Sequence, residues 1–117
     1  MNLPPPPPHL SPSAAEWWSL TVARYVLEEH HLRLLTLACE SWDRCEQARQ
    51  RLEAEGLTVQ GREGLKPHPC AAIERESRLA FARLVRELDL DTEAPRPGSN
   101  SPPAIFSNRG RHARKAS

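Results

Sequence analysis

The chain has 117 residues, 16 Lys+Arg against 15 Asp+Glu and 12 prolines, which suits one small domain with trailing ends. No apolar run approaches the roughly 20 residues that cross a bilayer, and the opening "MNLPPPPPHL" lacks the basic and apolar regions of a secretory signal, so a cytoplasmic protein without a membrane partner is expected. Near-neutrality hides an asymmetry: residues 1–100 hold 12 Lys+Arg and 15 Asp+Glu, whereas residues 101–117 hold four cations and no acid, which points the tail at a polyanion such as nucleic acid.

Within a proline-rich leader, residues 1–12, Pro4 to Pro8 form a stiff polyproline run that cannot join a hydrophobic core and has no basic anchor to complete an SH3-type ligand. From Ser13 to Glu55 there is neither glycine nor proline. Ser11 before Pro12, or Ser13 with Glu16 three residues on, supplies a helix start. One helix of that length would run about 65 Å, too long for so small a domain, so a break is expected at the polar "EEHH" of residues 28–31.

The first helix, about 13–27, then carries Trp17, Trp18, Leu20, Val22, Tyr25 and Val26. The second, about 31–55, carries a heptad-like stripe of Leu35, Ala38, Trp42, Cys45 and Leu52, with Gly56 as its C-terminal stop. In the connector 57–66, Leu57 and Val59 suit a short extended piece, and Gly61 and Gly64 make turns. A residue before proline is pushed out of the α region, so His68 fits a helix N-cap and Pro69 the first helical position. The third helix, 69–88, presents Ile73, Ala80, Phe81, Leu84 and Leu88 on one side, with Arg75, Arg78, Arg83 and Arg86 elsewhere. Residues 91–117 read as a disordered basic tail, in which Ile105 and Phe106 are the only large apolar side chains. The expected fold is all-α: a helical hairpin or three-helix core within a domain 13–90, between a disordered proline-rich N-terminus and the tail.

No Gly-rich phosphate loop, HExxH or CxxC is present, so neither an enzyme, nor a cofactor, nor a metal centre is expected. Cys39, Cys45 and Cys70 read as small core residues, and Cys70 beside His68 has no orienting third group to make it a nucleophile. A core this short is marginal alone, and a homo-oligomer would cover what remains exposed. Trp42, Cys45, Leu52, Phe81 and Leu84 are the candidate interface.

The order of features over roughly 9–97 resembles the phage terminase small subunit family. "HLSPSAAEWW" is similar to its Leu-Ser start and tryptophan-bearing helix, "LEAEGLTVQG" to its exit from the central helix, "GLKPHP" to its Lys-x-(Asn or His)-Pro connector, and "APRPGS" to the Pro/Arg exit after the last helix. Two positions depart from it. Asp89 stands where glycine is usual, which leaves the last helix to run on or fray, and Glu28 or Glu29 only loosely matches an acid at the start of the central helix. The resemblance implies a non-catalytic, ring-forming component of DNA packaging in the host cytoplasm. Its partners would be double-stranded phage DNA and the large ATPase/nuclease subunit. Candidate phosphate contacts are Arg109, Arg111, Arg114 and Lys115, with Arg75, Arg78 and Arg86 on the third helix. A small helical DNA-binding regulator and a helical adaptor acting only on proteins are the alternatives, the first requiring a helix-turn-helix with a short turn.

Overall fold

A computed structural model describes residues 2–90. Three helices, α1 (Pro12–Arg24), α2 (Glu29–Glu55) and α3 (Pro69–Leu88), carry the fold, with a two-stranded antiparallel hairpin, β1 (Thr58–Gly61) and β2 (Gly64–Pro67), between α2 and α3. The chain is therefore mostly helical rather than all-α. The connector's extended piece is paired: Thr58 faces Pro67 and Gly61 faces Gly64 across an Arg62–Glu63 turn. Gly64 needs its φ of 111° to close that turn, and Gly56 ends α2 at φ 87°, conformations a Cβ would oppose.

Local chemistry explains each helix boundary. Ser11 caps α1: its Oγ accepts the Ala14 N–H at 3.1 Å and Pro12 opens the first turn. The break after α1 falls at residues 25–28, earlier than the polar cluster suggests. Tyr25 is already extended, at φ −121° and ψ 149°. "EEHH" starts α2 instead of linking the helices: the Glu28 N–H donates to His31 Nδ1 at 3.1 Å, so a side chain inside the first turn satisfies the backbone ahead of it. At the far end, α3 neither runs on nor frays within the described residues. Asp89 takes the left-handed conformation, φ 50° and ψ 49°, and its N–H reaches back to the carbonyls of Val85 and Arg86.

Just past the proline run, the chain enters the core. Leu10 is buried beside Ala14, Trp18 and Val22 of α1, Leu35 and Cys39 of α2, and Leu88 of α3. Two anchors hold it there. His9 Nε2 meets Glu40 Oε2 at 2.7 Å, and Ser11 donates through its N–H and Oγ to the two Asp43 oxygens at 2.8 and 2.5 Å. Glu40 and Asp43 are one turn apart on α2, so both anchors grip one face.

Ala14, Trp18 and Val22 recur every four residues, which turns one stripe of α1 inward, while Leu20 and Val26 stay exposed. Along α2 and α3, Cys45 Sγ donates to the Glu74 carbonyl at 3.7 Å and Trp42 contacts Phe81, pairings whose order makes the two helices antiparallel. Burial of Cys39, with Asp43 and Glu40 nearby, pushes its thiol up to about 12, as befits an inert packing residue.

The base of the hairpin is closed by His68. Its N–H donates to the Leu57 carbonyl at 2.8 Å, its Nδ1 accepts the Cys70 N–H at 2.9 Å, and its Nε2 then donates to Glu55 Oε1 at 2.8 Å. One buried imidazole thus caps α3 and ties it to the last residue of α2. Pro69 opens that helix as expected, and Pro69→Gly should lower stability by up to about 1 kcal/mol through added freedom in the unfolded chain. Matching thermal unfolding of variant and parent would remove this role.

Hydrogen bonds from Arg51 first, and then from His68, hold the Glu55 carboxyl down to about 2, from 4.5. Because the folded value is the lower one, the contribution is complete above pH 4.5 and fades as pH falls toward 2. Glu55→Gln should flatten the stability change across that acid window, read by urea unfolding at stepped pH. An unaltered acid slope would show that Glu55 does not supply it.

Candidate functional site

The candidate phosphate-binding cations, with those of the hairpin, lie in three places. Arg109, Arg111, Arg114 and Lys115 lie outside the described residues. On α3 the 3.6-residue period brings Arg75, Leu79, Ala82 and Arg86 to one solvent face, with Arg75 and Arg86 about 16 Å apart along the axis. Neither arginine has an ion pair among the described residues. Arg83 lies beside this face, also exposed, and belongs with them on position, although the sequence reading did not select it. Arg78 is different. It pairs with Glu74 four residues earlier, and that carboxylate also accepts from the Cys45 thiol at 3.8 Å. It therefore helps fasten α3 to α2, and is the least available of the candidate helix cations. Arg62 and Lys66 on the hairpin form the third group, both exposed.

The candidate interface side chains are mostly engaged within the chain. Phe81 sits between two indoles, its centroid 5.7 Å from Trp17 and 5.4 Å from Trp42. Cys45, Leu52 and Leu84 are half-buried, and Trp42 remains 40% exposed. Along α3 only Leu88 is fully buried, so much of this helix's apolar side is covered but not enclosed. Ile73, Leu79, Leu37, Leu57 and Leu65 add exposed apolar surface. A cleft of about 250 Å³ opens between the helices, lined by Ser13, Ala14, Trp17, Trp42 and Phe81.

Glu28, His30 and His31 bring three ligand-type atoms within 4.8 Å of one another. His31 is buried, and its Nδ1 already accepts the Glu28 N–H, so the group acts as a helix cap. The link from α2 to α3 also bears on the alternatives: a paired hairpin with a capped exit is not the short turn of a helix-turn-helix.

No curated protein and no solved structure matches the chain. A family model described as the phage terminase small subunit matches residues 15–96. That span runs from the first turn of α1 through the hairpin to beyond α3 and takes in more than half of the sequence, so the chain belongs to the phage terminase small subunit family.

Proposed function

We propose that this chain is a non-catalytic small terminase subunit that assembles into a ring-like homo-oligomer, recognises viral DNA and presents it to the large ATPase/nuclease subunit, which it regulates. The family match over residues 15–96 carries the reading and gives the chain a part in phage DNA packaging. Partly covered apolar side chains along α3 and the exposed edge of Trp42 favour assembly, because a monomer leaves them in water. The interface we assign takes in Trp42, Cys45, Leu52, Phe81 and Leu84 at their exposed edges. Phosphate contacts fall to the cations of 109–115, aided by Arg75 and Arg86, with Arg78 held back by Glu74. No helix among the described residues is long and apolar enough to cross a membrane, and the host cytoplasm is the proposed site of action.

The mass in solution tests assembly. Light scattering at tens of micromolar protein, without detergent, should return a multiple of the monomer mass. A sharp monomer would end the ring reading. Binding to the purified large subunit, with a change in its ATPase rate, tests the partnership separately.

A further inference from the structure

We propose that the cleft bounded by Trp17, Trp42 and Phe81 is the seat of the chain's own Ile105–Phe106 pair. The cleft is apolar on three sides, formed by two indoles and a phenyl ring, with the small Ser13 and Ala14 completing its lining. At about 250 Å³ it is smaller than the roughly 300–1,000 Å³ that holds a drug-sized ligand, which matches one or two side chains better than a cofactor. An aromatic ring entering it can stack edge-to-face on rings already tilted at 56° to each other.

The occupant follows from what the chain has left. Beyond Leu90, Ile105 and Phe106 are the only large apolar side chains, adjacent to each other in a segment otherwise of proline, serine, small and charged residues. Reach is sufficient. Phe81 lies about 10 Å along α3 from Leu88, and the 15 steps from Leu90 to Ile105 span up to roughly 50 Å when extended. Tethering at that length supplies an effective concentration in the millimolar range, so the same chain outcompetes a free copy. Charge agrees. Glu16 stands exposed beside Trp17, and Arg109 follows Phe106 by three residues. Seating the pair would cover the edge of Trp42 and anchor the cationic segment 109–115 near α1. The proposal does not rest on the packaging role, but it takes the exposed edges of Trp42 and Phe81 from the subunit interface proposed above and leaves Cys45, Leu52 and Leu84 to it.

The experiment uses the full chain and the double variant Ile105→Ser/Phe106→Ser, whose changes lie outside the three helices. Trp17 and Trp42 are two of the three tryptophans, so acrylamide quenching of their emission should rise about twofold in the variant as they lose cover, with helicity unchanged. Equal quenching would overturn the proposal. A second measurement places benzoylphenylalanine at position 106 and irradiates a refolded mixture of light and isotope-labelled chains. Cross-links within one chain to the segments around Ser13–Trp17, Trp42 or Phe81 are expected. Cross-links confined to other segments, or joining a light chain to a heavy one, would overturn it, the latter by placing the pair on a neighbouring copy. An altered oligomeric mass with the cross-links in place would bear on the ring alone.

Discussion

A chain ending at Asn108 should keep the helicity and oligomeric mass of the full chain and yet bind duplex DNA with a much shallower salt dependence. The four cations it lacks are the whole positive excess of residues 101–117, set against a net negative charge on residues 1–100. Each phosphate neutralised on duplex DNA releases counterions and contributes about −0.9 to the log–log slope of affinity against salt. Four contacts per engaged subunit therefore add roughly −3 to −4, or about two decades of affinity between 50 and 200 mM salt. Several tails on one ring multiply this, limited by how many reach the duplex together. Site preference residing in the helical body should survive truncation at low salt. A salt titration of both chains on one duplex decides the matter. Equal affinity with equal slope would make the tail a passive end and move the DNA surface to Arg75, Arg83 and Arg86.

Leu35→Ala should be the most damaging single truncation in the core. Leu35 is fully buried where α1, α2 and α3 converge, among Trp18, Cys39 and Leu88. Leu→Ala at such a site costs about 2–5 kcal/mol, the transfer free energy plus the cavity left behind. Domains of this size have only about 5–15 kcal/mol in hand. At fixed protein concentration, urea unfolding should show the midpoint falling by a molar unit or more, on the order of the loss divided by an m-value of about 1–3 kcal/mol/M. Leu37→Ala, two residues along the same helix and half exposed, is the control and should stay near ±0.5 kcal/mol. Similar losses at both positions would mean that Leu37 is buried by a neighbouring copy.

The sequence was legible where one residue's chemistry decides the backbone. Pro69 forces His68 to be extended, and His68 is the N-cap of α3; Gly56 stops α2. It was less legible where long-range partners decide. Tyr25, Val26 and Leu27 continue an apolar pattern, so nothing local marks the end of α1 at Arg24. Four-residue strands offer too few alternations to announce a pair, and only the pairing itself turns Thr58–Gly61 into β1. The proline run masked Leu10, whose burial depends on His9 and Ser11 reaching acids some thirty positions away. Among the candidate site residues, charge composition singled out the tail. The Arg78–Glu74 pair was visible as an i, i+4 spacing, but its link to Cys45 needed the antiparallel packing of α3 on α2.

Closure at His68 has a consequence for how the chain can change length. The imidazole and its backbone N–H fix the exit of α2 and the entry of α3 at the foot of the hairpin, on Glu55 and Leu57. Above that knot the hairpin's two strands pair with each other and end at the exposed Arg62–Glu63 turn. Lengthening a loop whose ends are already joined costs little, about 0.6 kcal/mol per doubling. An epitope or a small tag inserted between Arg62 and Glu63 should therefore leave the three-helix unit intact, making this turn a place where the protein can acquire new surface without altering its frame.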